Sequence, residues 1–204
     1  MPQESVTGID KGWADLSQLA PDDVVTNSGA GYDPVTRIYQ LKVLNITYVI
    51  SQHEKKITEQ GKSEPVKFEM GLLILHYLVN AKNIPPSGKL LGARDLPDGD
   101  IFFRSTHELP LSPLKEKFGS NPAGLLEAAK ALNGKRKDFA DAAVEIQVLP
   151  RLFLTILVWK GDDEFPANAS VLFDSTAPEH LALDVLLAAV KFTVKALTEK
   201  IKGT

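Results

Sequence analysis

RLFLTILVW, residues 151–159, holds seven apolar residues in nine. It carries Leu152, Leu154, Ile156 and Val158 at one parity and Phe153, Leu157 and Trp159 at the other. Successive side chains of a strand point to opposite faces, so a run that is apolar at both parities predicts a central strand covered on both sides. The flanks fit that reading. AAVEIQVL, residues 142–149, sets Val144, Ile146 and Val148 against Glu145 and Gln147, and ASVLFD, residues 169–174, is the expected hairpin partner on the other side. Nearer the start, RIYQLKVLNITYVIS alternates Tyr39, Leu41 and Val43, then Ile46, Tyr48 and Ile50, about Leu44-Asn45. That pattern predicts a second β-hairpin, with EKKIT as a third, exposed segment.

Helical signals lie between and after these strands. A short helix is expected over Asp22–Ser28, stopped by Gly29 and Gly31. Ser63-Glu64-Pro65 reads as the start of a helix running from Val66 to Ala81, with Phe68, Leu72, Leu75, Leu78 and Val79 as its core stripe and Met70, Leu73, Ile74 and Tyr77 widening the apolar surface, so that the helix is expected to be largely buried. Short helices are expected over Leu114–Phe118 and after Ser120, with Pro122 in the first turn and Gly134 beyond the end, and a short strand over Lys89–Ala93. The tail places Leu183, Leu187, Val190, Val194, Leu197 and Ile201 at helical spacing after a capping-box sequence at Thr176–Glu179. Strands cluster at both ends without a repeating βαβ order. The expected class is therefore α+β, an antiparallel sheet covered by helices that include a long C-terminal helix.

Composition fits one domain over residues 1–204, with residues 1–18 as a loose polar lead. Hydrophobic residues make up 44% and the net charge is -3, so there is no strong field to draw nucleic acid or acidic lipid. With no cysteine, the chain cannot ligate an iron-sulfur cluster through its own thiolates or use a thiol nucleophile. Such a cluster would have to sit on a partner. The first residues lack the pattern of a signal peptide, and the most apolar windows, MGLLIL and VLLAAV, fall far short of the roughly 20 residues that span a bilayer. A cytoplasmic protein that works without membrane or nucleic acid is the expectation.

Three stretches together, LILHYLVNAKNIPPSGKLLGARDLPDG, FGSNPAGLLEAAKALNGK and LPRLFLTILVWKGDDEFPANASVLFDSTAPEHL, resemble a prokaryotic domain of unknown function numbered three-seven-eight-six. The resemblance runs from about Leu19 to Leu187 and is most specific over GDDEFPANASVLFD, residues 161–174. It implies a protein of anaerobic bacteria and archaea. Some relatives carry a cysteine-rich extension linked to iron-sulfur or corrinoid pathways, which this chain lacks. A corrinoid or iron-sulfur partner protein is what the resemblance implies here.

GDDEFPANASVLFD contains four carboxylates, but Asp174 is expected a full strand, about 20 Å, from Asp162 and Asp163. They cannot share one small ion. Asp174 instead precedes a helix start, where a carboxylate can accept backbone N–H groups, and Asp162-Asp163-Glu164 reads as a solvated turn. The four histidines show neither HxxxH nor HxH spacing, so a helical zinc signature is missing. No nucleophile elbow, Walker loop or dinucleotide loop occurs. His76 falls in the apolar helix, His53 past a strand end, and His180 in the first turn of the last helix.

The remaining candidate is FFRSTHELPL, residues 102–111, where His107 lies in a polar loop with Arg104 nearby and Phe102-Phe103 before it. An imidazole, a guanidinium and an apolar rim suit a planar, carboxylate-bearing ligand. With the family resemblance, this gives a candidate haem or corrinoid site: His107 as axial metal ligand, Arg104 for a carboxylate and Phe103 on the rim. The other reading of His107 is a loop residue that bonds locally. With no nucleophile, base and orienting group at a recognisable spacing, a binding or accessory protein is the expected class. Two alternatives stay open: an interaction scaffold anchored by Phe102, Phe103 and Phe165, or a metal-dependent enzyme pairing His107 with Glu108 or Asp163.

Overall fold

The structure is a computed structural model that describes residues 8–104 and 107–199. It is an α+β fold with two antiparallel sheets rather than one. The first sheet has the order β1-β2-β3-β4, formed by Gly31–Asp33, Ile38–Val43, Ile46–Ser51 and Lys56–Glu59. Alternation places Tyr39, Leu41, Val43, Tyr48, Ile50 and Ile57 inside, as expected. The second sheet has the order β5-β9-β8-β7-β6, from Leu90–Gly92, Asn168–Asp174, Leu152–Trp159, Ala142–Leu149 and Lys135–Lys137. The strand read as central, β8, sits in its middle.

Helices α1 (Gly8–Gln18) and α2 (Pro21–Ser28) come first, and α2 ends on Gly29 in the left-handed conformation with φ 72°. Residues 8–18 are thus helical rather than a loose lead. Their amphipathic face buries Trp13 and Leu16, and α1 packs on α3 (Phe68–Asn80). The α3 helix begins later than Ser63-Glu64-Pro65 suggested, because Pro65 bridges Thr58 in extended conformation and the Val66 N–H donates to the Ile57 carbonyl. Leu75 and Leu78 of its stripe are buried together with Leu73, Ile74 and Tyr77 of the wider apolar surface, so the helix is largely buried as expected, whereas Phe68 is exposed.

After α4 (Gly99–Phe102), α5 (Ser112–Phe118), α6 (Ala123–Lys130) and α7 (Ala177–His180), the chain ends its described course in α8 (Leu183–Thr198). Leu187, Val190, Val194 and Leu197 of α8 are buried as the spacing required; Ile201 lies outside the described residues. One contiguous core joins the inner faces of both sheets with α3 and α8. At roughly 1.5–3 kcal/mol per fully buried large apolar side chain, before entropy, such a core is what orders the two sheets about the helices.

The two parities of β8 have different fates. Leu152, Leu154, Ile156 and Val158 join the core with Val144, Ile146, Val148, Val171 and Phe173. Ala143, Phe153, Leu157 and Leu172 point the other way and lie outside that core. Cover on both sides holds over the middle of β8, where Thr155 and Leu157 of the second parity are buried although Leu157 lies outside the core cluster, while Phe153 is half-buried and Trp159 is exposed at the strand end.

The segment between α3 and β5 is tied to the β9–α7 junction. The Lys82 N–H donates to His180 Nδ1 (3.3 Å) and the Lys82 ammonium meets Glu179 (2.6 Å). Farther on, the N–H groups of Ser87 and Gly88 donate to the two oxygens of Asp174 (3.0 and 2.7 Å). Asp174 also accepts from the Thr176 N–H and hydroxyl, so its structural reading is extended: it serves a loop as well as the approach to a helix.

Candidate functional site

The FFRSTHELPL stretch crosses from α4 to α5, and its two phenylalanines point to different places. Phe103 is 3% exposed and packs toward Phe173 of the core, with ring centroids 6.4 Å apart. Phe102, half-buried, meets Phe103 edge-on at 5.0 Å. On its outer side lies the imidazole of His107, stacked at 4.4 Å with an interplanar angle of 22°. A file of rings thus runs from the core to an exposed histidine. The His107 N–H donates to the Arg104 carbonyl at 3.3 Å, which fixes the loop locally; Ser105 and Thr106 lie outside the described residues.

Arg104 is turned to its own helix. Its Nε donates to the Asp100 carbonyl (2.6 Å) and its guanidinium pairs with the Asp100 carboxylate. This i,i+4 pair is exposed and of modest strength, yet it occupies the planar face that a ligand carboxylate would need.

Beside the loop is an open depression of about 360 Å³, lined by Phe103, Leu109 and Leu111 with Ala93, Arg94, Glu108, Ser112 and Lys115. The volume falls in the range of small-molecule sites, and the lining combines an apolar wall with a few charged groups. Among the described residues, Arg94 and Lys115 have no carboxylate within ion-pair distance. They are the cations that sequence reading missed: Arg94 lies far back in the chain, and only the fold brings it to Lys115. Phe103 contributes to the wall from within the core rather than as a free rim.

The other candidates are placed as follows. Asp162 Oδ1 accepts the N–H groups of Glu164 and Phe165 (2.9 and 2.7 Å), the bonds of a turn, and these hold its carboxyl below the ordinary range. Burial pushes the Asp174 carboxyl up, but hydrogen bonds from Thr176, Ser87 and Gly88 outweigh it and bring it down to about 2. His180 is fully buried at the end of α7; burial first, then the Arg151 charge, hold its imidazole below its ordinary value. His76 is half-buried with Nδ1 3.2 Å from the Asn80 amide. Among the described residues, no group of three or more His, Asp or Glu side chains is placed to hold a metal ion, and no helix is long and apolar enough to cross a membrane.

The sequence profile described as "Domain of unknown function (DUF3786)" matches residues 20–196. The chain belongs to the DUF3786 family. The match spans all of the second sheet, α3 and nearly all of α8, so the family is defined by this fold rather than by one local motif. No curated protein and no solved structure matches the chain.

Proposed function

We propose that this DUF3786 protein is a ligand-binding accessory protein rather than a catalyst, and that its ligand is a flat, carboxylate-bearing cofactor of the haem or corrinoid kind. One observation carries the reading: the His107 imidazole is exposed, held flat on Phe102, and adjoins Glu108 at the edge of an open depression flanked by Arg94 and Lys115. A single axial imidazole needs no second ligand at fixed spacing. In this reading His107 ligates the metal, Phe103 with Leu109 and Leu111 supports the ring, and Arg94 and Lys115 meet its carboxylates. Arg104 keeps its place in the loop through Asp100 and engages a ligand carboxylate only by giving up that pair. A corrinoid or iron-sulfur partner protein supplies or receives the cofactor, in line with the family resemblance.

The experiment is a titration with haemin and, separately, with aquocobalamin, followed by visible absorption. The proposal requires a saturable band shift at one equivalent for at least one of the two. Spectra identical to those of the free cofactors would overturn it.

A second reading, a protein-interaction scaffold, draws on Phe165, which is 68% exposed on the β8–β9 loop beside the acidic turn. Of the three anchors expected for it, Phe102 is half-buried under His107 and Phe103 is in the core, leaving Phe165 as the one presented to solvent.

A further inference from the structure

The face of the second sheet that the helices leave open is not a flat polar surface. Residues from both of its edge strands, Leu90 of β5 and Lys135 and Lys137 of β6, line one depression of about 370 Å³. In a flat five-stranded sheet those edges would stand about 19 Å apart at ~4.8 Å per strand. Side chains from both edges therefore converge on one trench across this face. Phe153 lies in the trench and Phe139, 45% exposed, forms part of its wall. On the same face, Ala143 and Thr155 are almost inaccessible.

Charge is distributed unevenly along it. Lys137 is neutralised by Glu145 at 2.9 Å. Lys135 stands opposite Glu145 in the ladder, but among the described residues neither it nor Lys42 has a carboxylate within ion-pair distance. Those two lysines share a smaller recess of about 70 Å³ that continues the trench past Phe153 to the β2–β3 turn. At the opposite end the wall at Gly88 is fixed by Asp174, whose oxygens are already taken by the loop and Thr176. Asp174 thus acts as structure there and its carboxylate is spent on the protein's own N–H groups.

We infer that the trench on the helix-free face binds an amphipathic organic anion, with its apolar body on Phe153 and Phe139 and its carboxylate or sulfonate toward Lys135 and Lys42. An apolar floor that the fold leaves uncovered, a wall fixed by internal hydrogen bonds and two cations without partners at one end together define that chemistry. This site is separate from the depression lined by Arg94, Glu108 and Lys115 and shares no lining residue with it.

The test uses the whole chain with 1-anilinonaphthalene-8-sulfonate, read by fluorescence, and its uncharged counterpart N-phenyl-1-naphthylamine, with laurate as a competitor. The sulfonate binds saturably at one equivalent and is displaced by laurate. Lys135→Glu weakens it about tenfold, as the loss of an attraction and gain of a repulsion demand, and leaves the uncharged probe within about twofold. Phe139→Ala weakens both probes, and Lys115→Glu, in the other depression, weakens neither. Near-ultraviolet circular dichroism matching wild type shows that each variant is folded. The inference is overturned if the sulfonate does not saturate, if Lys135→Glu leaves its affinity unchanged, or if Lys115→Glu is the variant that removes it. Failure here leaves the haemin and cobalamin result untouched.

Discussion

The N–H of Leu44, in the β2–β3 turn, donates to the carbonyl of Val148 at 2.8 Å, and this bond joins the two sheets. Val148 sits where the β7–β8 register shifts, between Gln147 and Leu149, so its carbonyl is released from the ladder to accept from outside. Leu44 takes φ 53°, an unusual conformation for a bulky residue, held by neighbours on both sides. Asn45 completes the joint: its amide donates to the Ala131 carbonyl, and its oxygen accepts from Asn133 at 2.9 Å.

Leu44→Pro should therefore be severe, because it removes that N–H and cannot adopt the positive φ. A loss of at least about 3 kcal/mol in urea unfolding is expected. Asn45→Ala, which removes the two side-chain bonds at an exposed site, should cost about 1 kcal/mol. Equal effects would show that the backbone joint is not what matters.

Asp174 gives the second prediction. Replacing it with Ala leaves the N–H groups of Ser87, Gly88 and Thr176 without their acceptor and should destabilise the protein by about 3 kcal/mol or more; Asp174→Asn, which keeps one oxygen, should cost less. The folded carboxyl is depressed to about 2 from 3.8. Its contribution is present above the unfolded value and lost as pH falls through that interval. Urea midpoints should accordingly converge between wild type and Asp174→Asn as pH is lowered toward 2.

His180 acts in a different window. Its folded imidazole lies below 6.5, so protonation is favoured in the unfolded chain, and stability present above that value declines as pH falls from it toward the folded value. The Nε2 atom is buried without a hydrogen-bond partner, and a charged ring there would also turn a donor toward the Lys82 N–H. His76, depressed by burial as well, acts in the same direction. Wild type should lose urea resistance as pH falls below 6.5, and His180→Leu should flatten that slope without abolishing it. An unchanged slope would assign the effect to His76.

Gly29 offers a fourth test. It ends α2 at φ 72°, and a Cβ there would stand 3.0 Å from Pro150 Cβ. Gly29→Ala should cost about 1–2 kcal/mol, measured by thermal unfolding, through left-handed strain and that contact.

The sheet strands were legible because alternation is a strong signal wherever one face is buried: β2, β3, β7, β8 and β9 all lie where Tyr39, Ile50, Ile146, Ile156 and Val171 place them. What sequence could not show was the partner of each face. Apolar residues at both parities of β8 read as cover on both sides, and Leu157 is indeed buried, but it lies outside the core cluster that Leu154 and Ile156 join. The edge strand β6, KRK, was illegible because charge on an edge is what its solvent exposure permits. His107 and Arg104 were found from local composition, but Arg94 and Lys115 meet only through the fold, and the Arg104–Asp100 pair needed α4 to be seen as a helix.

The most direct test of the proposed function is ligation by His107 itself. Wild type, His107→Ala and His53→Ala, which removes another exposed imidazole, are titrated with haemin and aquocobalamin and compared by the position of the visible bands. The account predicts a shift characteristic of imidazole ligation in wild type and His53→Ala and its loss in His107→Ala. A shift that survives in His107→Ala, or that appears in none of the three, would contradict it.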